Sequence, residues 1–507
     1  MDNAVRLVWR WAEETPDALV LREGERSWTY AQLRAGVRGA MTELAGRGVG
    51  PGDRVLFVVP TSAEFVLTYH AVLALGAVAV TVNPLCTQRE LAHFVDDAGC
   101  TFALGWHEDA EAVTATAEAA GVPLWVLEPG SVTPGGDAQP AEVASDDAAV
   151  LLYTSGTTGA PKGAVLTHGN LLACGASLAE ALGQTSEDRM GTALPLFHVF
   201  GQAAVMFTCL TFGASLSLQR PFDPAALLRM AADQRLTGLA GVPTMWNAML
   251  HAETDVTAED LTQLRLASSG GAALPLEVAK AFRERFGATV LDGYGLSETA
   301  GASTFNREEF PRKEMSVGRA LPGGRLAILD EDRNHLPPGE VGEVAVSGPY
   351  VMREYWNRPE ATAAVRHGEW FLTGDLGRMD EDGDLWIVDR KKDLVIRGGY
   401  NVYPREVEEV LYGHPDIREV AVIGVPDERV GEEIAAVVTP QPRATISASA
   451  LRGWLEERLA AYKIPRIYQF VDELPKGPTG KIMKRAIDRS ETATEGERPS
   501  RVSTSTP

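Results

Sequence analysis

The stretch that most narrows the possible folds runs from Ala148 to Gly163, where an apolar, β-prone segment through Leu152 empties into Tyr-Thr-Ser-Gly-Thr-Thr-Gly-Ala-Pro-Lys-Gly. A strand that ends in a loop of glycines and small hydroxyl residues leaves backbone N–H groups open to an anion. Thr and Ser oxygens add hydrogen-bonding groups and Lys162 adds a positive charge, a combination suited to a polyphosphate. The spacing is not that of a Walker A loop, because Lys162 follows Pro161 and precedes Gly163 instead of standing in Gly-Lys-Ser/Thr. That excludes a P-loop NTPase, although the segment taken alone also fits a structural turn.

The chain ahead of this loop alternates strand and helix patterns. Val55 to Val59 is a β-rich run closed by Pro60, Ala63 to Leu75 carries apolar residues at helical spacing, and Ala77 to Val82 is again strand-like. Leu91 to Ala98 reads as helix and Thr101 to Leu104 as strand. Such alternation predicts an α/β fold with a mostly parallel sheet covered by helices on both faces. Beyond Arg319 the texture changes to short strands at Leu326 to Leu329, Gly342 to Val346 and Leu385 to Val388, separated by acidic and Pro-Gly turns, which predicts a β-rich subdomain.

After Asp389-Arg-Lys-Lys-Asp393 comes a compact α+β unit: a helix over Pro404 to Tyr412, strands over Glu419 to Val425 and Ile434 to Thr439, and a helix over Ser447 to Ala460. The predicted organisation is a large N-terminal domain over 1–389, a small C-terminal domain over 390–487 and a disordered tail over 488–507.

With 507 residues, 45% of them hydrophobic, the chain is long enough for two or three domains around large cores. A net charge of −22 excludes a general nucleic-acid binder, so any anion binding falls to local clusters. Cys86, Cys100, Cys174 and Cys209 stand at wide, irregular spacings that give neither a zinc site nor a disulfide framework and are read as reduced core residues. The first residues lack a signal-peptide pattern, and the longest apolar stretch, Ala71 to Val82, is too short to span a bilayer. These features predict a cytoplasmic protein.

Five further segments have the composition of site loops: Pro195-Leu-Phe-His-Val-Phe-Gly201, Ser268-Ser-Gly-Gly-Ala-Ala-Leu-Pro275, Asp292-Gly-Tyr-Gly-Leu-Ser-Glu-Thr299, Thr373-Gly-Asp375 and Lys476-Gly-Pro-Thr-Gly-Lys481. Each alone also fits a packed histidine, a turn or a solvated charge. In this order and at these separations the sequence resembles the ANL adenylate-forming superfamily of acyl-CoA synthetases, nonribosomal peptide synthetase adenylation domains and luciferases. The resemblance covers nearly the whole chain, from about residue 5 to about residue 487, and is strongest to fatty acyl-CoA synthetases.

The resemblance implies that a carboxylic acid attacks the α-phosphate of ATP to give acyl-AMP and pyrophosphate, after which the thiol of coenzyme A displaces AMP. It implies that Thr154, Ser155, Gly156, Thr157, Thr158, Gly159 and Lys162 hold the phosphates, with Mg²⁺ held near Thr154 and Glu298. Gly271, Ala272, Asp292, Gly293 and Tyr294 would form the adenine slot, Ser297 would reach the α-phosphate, and Asp375 with Arg390 would hold the ribose. His198 would border the acyl carboxylate and Lys481 would supply the cation of the adenylation step. Lys392 occupies the hinge position about which a mobile C-terminal domain would turn, withdrawing Lys481 and bringing Gly398 and Gly399 to the site for the thioester step.

By the same resemblance Phe200, Val242, Trp246, Gly270, Leu296, Ala300 and Gly301 surround the acyl group. They are apolar or small, which favours a medium- to long-chain fatty acid over a dicarboxylate or amino acid. Trp246 is read either as an aromatic gate to the acyl tunnel or as a core tryptophan. Lys463, Arg466, Lys476, Lys481, Lys484 and Arg485 give the C-terminal part a local basic excess, either a lure for anionic substrates or a solvated face. An acyl carrier protein in place of coenzyme A, an aryl acid in place of a fatty acid, a luciferase-like oxygenase and an AMP-sensing module are the competing readings, and a homodimer is the default assembly.

Overall fold

The computed structural model describes residues 2–154, 161–427, 429–442, 444–477 and 480–488. The predicted phosphate-loop residues Ser155, Gly156, Thr157, Thr158 and Gly159, and all of the predicted tail except Asp488, lie outside the described residues.

The first two-thirds of the chain build two parallel-type sheets, whereas the predicted alternation covers only the part ahead of the phosphate loop. In one, Leu124–Leu127, Phe102–Trp106, Arg54–Phe57, Val78–Thr81 and Ala148–Thr154 lie parallel in that spatial order, and Lys162–Thr167 and Glu354–Tyr355 add antiparallel strands at the edge. In the other, Leu19–Glu23, Ser215–Leu218, Arg189–Thr192, Gly238–Gly241, Leu266–Ser269 and Val290–Tyr294 run parallel, with antiparallel strands at both edges.

One apolar core contains side chains of both sheets. The helix Ala63–Ala74 is buried at all of its positions, which is why its sequence shows no polar face. Ser62 caps it, its hydroxyl accepting from the Phe65 N–H at 3.1 Å. Phe57 of the first sheet meets Phe65 and Tyr69 of this helix, and Tyr69 meets Phe207 beyond it, at ring separations of 5.6, 6.1 and 6.3 Å.

The predicted β-rich region is an antiparallel sheet of Arg325–Leu329, Gly342–Ser347, Trp370–Met379, Arg366–His367 and Leu385–Arg390. Its longest strand, Trp370–Met379, is masked in the sequence by Thr373-Gly-Asp375, which interrupts the apolar alternation. The small C-terminal part has its own sheet and its own cores, with the helices Pro404–Tyr412 and Ala448–Glu456 packed on it.

The second of these helices is shorter than the predicted 447–460. The Arg458 and Leu459 N–H groups both return to the Leu455 carbonyl, at 2.9 and 2.8 Å, and this tightened turn closes the helix. Cys100, Cys174 and Cys209 are buried, Cys86 is partly so, and all four are free thiols. Among the described residues no helix is long and apolar enough to cross a membrane.

Candidate active site

The strands Ala148–Thr154 and Lys162–Thr167 pair antiparallel and bring Thr154 opposite Lys162, the two described residues that flank the phosphate loop. Glu298, in the short turn Ser297–Thr299, places its Oε1 3.5 Å from the Thr154 hydroxyl. The Tyr355 hydroxyl donates to the same carboxylate oxygen at 2.7 Å, and the Lys162 ammonium lies 5.2 Å from the centre of the Tyr355 ring. Burial, then the adjacent Glu298 charge, raises the pKa of Tyr355, so the hydroxyl stays a donor. Tyr355 joins the site without a sequence signature: it belongs to a two-residue edge strand, with no glycine motif around it.

Asp375 and Arg390 are cross-strand partners in the β-rich sheet. Asp375 is 5% exposed; its Oδ2 accepts from the Tyr294 hydroxyl at 2.7 Å, and its Oδ1 is 3.5 Å from Arg390 Nε. The Asp375 N–H donates to the Thr373 hydroxyl at 3.1 Å, so the Thr-Gly-Asp run turns its carboxylate toward Tyr294.

Asp292 accepts from the Leu274 N–H at 3.3 Å through Oδ2, while its Oδ1 is buried without a partner among the described residues. Burial raises its pKa to about 7, against the opposing pull of Arg405. Gly293 must be a glycine, since a Cβ there would stand 2.7 Å from the Phe305 ring. Gly271 has φ +79° and faces Val242; Ala272 and Ser297 are half-buried.

On the acyl side, His198 Nδ1 accepts from the Phe200 N–H at 3.3 Å. Burial, and then the Lys481 charge, push His198 down to about 4, so the ring is neutral at pH 7. The Phe200 ring approaches within 3.3 Å of where a Gly270 Cβ would be, and Val242 lies similarly close to Gly271 and Gly480. Ala300 adopts φ +52°, its carbonyl accepts from the Cys174 thiol, and Gly301 packs on Val199 and Ala204. Leu296 is half-buried, and its carbonyl accepts from the Gly301 N–H. Trp246 is fully buried edge-on to Phe282, with ring centres 5.0 Å apart, and its indole N–H has no partner among the described residues. This packing fits a core tryptophan and a closed gate alike.

Lys481 reaches this cluster from the C-terminal part. The Gly480 carbonyl accepts from the Thr244 hydroxyl at 3.0 Å, and the Gly477 N–H donates to the Lys481 carbonyl at 2.7 Å. Burial and then the Arg390 charge lower the Lys481 ammonium to about 8, with Asp375 acting the other way. Lys392 is half-buried, and its pKa is lowered by burial and then by Arg390. The fold thus unites Lys481, Arg390, Asp375, Lys392 and His198.

Gly398 and Gly399 are not brought in. They form the tight turn between Val395–Arg397 and Tyr400–Val402, with φ +56° and +85°, and nothing lies within 4 Å of a Cβ built on Gly399. The expected basic excess is also largely neutralised. Lys463, Lys476 and Lys484 are paired with Glu406, Glu419 and Glu408 at 2.5, 2.9 and 2.7 Å, leaving little free charge to draw in anions.

Comparison with known proteins agrees with this architecture. Residues 8–356 match the AMP-binding enzyme family and residues 406–481 match the AMP-binding enzyme C-terminal domain. A feruloyl-CoA synthase from Amycolatopsis is 39% identical, covering 95% of this chain and 97% of its own. A long-chain-fatty-acid–CoA ligase of Bacillus subtilis is 34% identical over 95% of this chain and 93% of its own. Among solved structures, ATP-bound MatB from Rhodopseudomonas palustris superposes with a TM-score of 0.90 at 33% identity, covering 96% of this chain and 99% of that one. The chain belongs to the AMP-binding enzyme family, the adenylate-forming acid–thiol ligases.

Proposed function

We propose that the protein is an AMP-forming acid–CoA ligase for an apolar monocarboxylic acid. The observation that carries this reading is that the Thr244–Gly480 hydrogen bond seats Lys481 near enough to His198, Asp375 and Arg390 for their charges to act on one another, which brings a cation from the C-terminal part to a hydroxyl-, carboxylate- and glycine-lined nucleotide site in the rest of the chain. In the first step a carboxylate oxygen attacks the α-phosphorus of ATP and the bond to the bridging oxygen breaks, releasing pyrophosphate. Lys481 offsets the repulsion between the two anions, Asp375 accepts from the ribose hydroxyls, and Ser297 reaches toward the α-phosphate. In the second step the CoA sulfur attacks the acyl carbon, the thiol proton leaves to solvent, and AMP departs with the carboxyl oxygen.

The Thr154 hydroxyl and the Glu298 carboxylate, 3.5 Å apart, form an oxygen donor set that fits Mg²⁺. Bound there, the ion would neutralise triphosphate charge. Lys162 and Tyr355 hold the same corner, the first by charge and the second by fixing Glu298.

The buried Trp246 changes the reading of the acid. With its ring sealed against Phe282 and Phe200 laid against Gly270, the pocket suits a compact, flat acid better than the expected medium- to long-chain fatty acid. The likeness to feruloyl-CoA synthase supports the flat acid, and the likeness to the Bacillus ligase together with the apolar lining supports the fatty acid. Pyrophosphate release across benzoate, ferulate, hexanoate, dodecanoate, hexadecanoate and malonate decides. Ferulate or benzoate is expected to give the highest kcat/KM, whereas a clear win for dodecanoate or hexadecanoate restores the tunnel reading and a win for malonate overturns both. Supplying CoA and a phosphopantetheinylated carrier protein in parallel tests the acceptor, with CoA expected.

A further inference from the structure

The helix Pro404–Tyr412 begins without a cap of its own: Tyr403, at the N-cap position, makes no side-chain hydrogen bond. Helix starts leave N–H groups unpaired, and a side-chain oxygen normally fills that need from the N-cap residue itself. Here it comes from Asp389, in the strand Leu385–Arg390, whose Oδ2 accepts from the Arg405 N–H at 3.0 Å. Its Oδ1 accepts from the Arg390 N–H at 2.8 Å, so the carboxylate is held from both sides. The Arg405 side chain reaches back across the same seam, and its Nη1 donates to the Ile387 carbonyl at 2.6 Å.

Asp389 is 7% exposed; burial raises its pKa, and the Lys484 charge and the Arg405 and Arg390 N–H groups that it accepts from oppose that rise. Thr244 to the Gly480 carbonyl at 3.0 Å, Asn247 to the Arg418 carbonyl at 3.4 Å and Gln441 to His251 at 3.4 Å also cross this seam, and the partly buried Glu409 carboxyl faces the Leu276 N–H. Lys392 lies between Asp389 and Arg405 in the chain. A swing of the C-terminal part about Lys392 therefore separates the capping carboxylate from the N–H that it caps.

We propose that Asp389 is a positioning residue: it caps a helix across the hinge, holds Lys481 at the nucleotide site for adenylation, and must let go before the thioester step. This rests on the two-step reading with Lys392 as pivot. The test measures the two half-reactions separately in the full chain, using the better substrate of ferulate and dodecanoate: pyrophosphate release without CoA, and thioester formation from the supplied acyl-adenylate with CoA.

Asp389→Ala is expected to slow pyrophosphate release by about five- to tenfold, the loss of one cap, while leaving thioester formation unchanged or faster. Asp389→Asn keeps one oxygen to accept from the Arg405 N–H but turns its NH2 toward the Arg390 N–H, so it should fold as the parent does and recover part of the lost rate. Equal slowing of both half-reactions, slowing of the thioester half alone, no effect on either, or an Asn variant no better than Ala overturns the proposal. Lys392→Pro, measured alongside, separates the pivot from the cap. If it too leaves the half-reactions in step, the pivot reading fails; if it splits them and Asp389→Ala does not, only the cap fails.

Discussion

Burial, ahead of any partner charge, lowers the Lys481 ammonium to about 8 and raises the Asp292 carboxyl to about 7. In the proposed adenylation step Lys481 acts only as a cation, so kcat/KM for pyrophosphate release is expected to fall as pH rises through about 8. Bound triphosphate raises the same group, so the corresponding break in kcat is expected at higher pH; a profile flat to pH 10 in both parameters contradicts the assignment. Asp292 works on stability. Its folded pKa lies above the ordinary value of 3.8, so its contribution is fully present below that value and is lost as pH rises through about 7. Asp292→Asn removes that titration, and the fall in Tm between pH 5 and pH 8 should shrink by roughly 1–2 °C, measured by scanning calorimetry. An unchanged difference would mean that the carboxyl is not strained by burial.

At the scale of elements, the phosphate corner is assembled from a strand end, a one-turn helix and a two-residue edge strand. The Tyr355 hydroxyl fixes the Glu298 oxygen that also faces Thr154, and a hydrogen bond to a charged group is the strong kind. Tyr355→Phe is therefore expected to raise the KM for MgATP about tenfold with little change in Tm. An unaltered KM would remove Tyr355 from the site. This corner also marks how far the sequence could be read. Thr154, Lys162 and Glu298 stand in glycine-bearing motifs, and their backbone demands leave a trace in residue type; Tyr355 contributes only a hydroxyl on an edge strand, so nothing local announces it. Asp389 was visible as part of a charged turn, but its partner Arg405 is supplied by tertiary folding. Most strands of the first parallel sheet were legible because they carry apolar runs bounded by turns, whereas strands of the second such as Arg189–Thr192 and Gly238–Gly241 have no such run, and Trp370–Met379 was hidden by its Thr-Gly-Asp. Trp246 could be read two ways because a ring in a pocket wall and a ring in a core look alike in sequence, and its packing on Phe282 fits both.

At the scale of the whole molecule, the proposed reaction asks one chain to place a cation beside the α-phosphate and later clear that place for a thiol. The conformation of the protein suits the first of these steps. Lys481 sits among Arg390, Asp375 and His198, while the Gly398–Gly399 turn stands away from them. A cation about 4 Å from a unit charge at an effective dielectric near 20 stabilises it by roughly 4 kcal/mol, on the order of a thousandfold in rate if the effect is confined to the transition state. Lys392→Pro, which stiffens the pivot, should depress one half-reaction far more than the other. The most direct measurement is on Lys481→Ala, with both half-reactions followed under one set of conditions. Pyrophosphate release should fall by about a thousandfold, while thioester formation from supplied acyl-adenylate and CoA stays near the parent rate. Loss of both together, or retention of adenylation, would contradict the account.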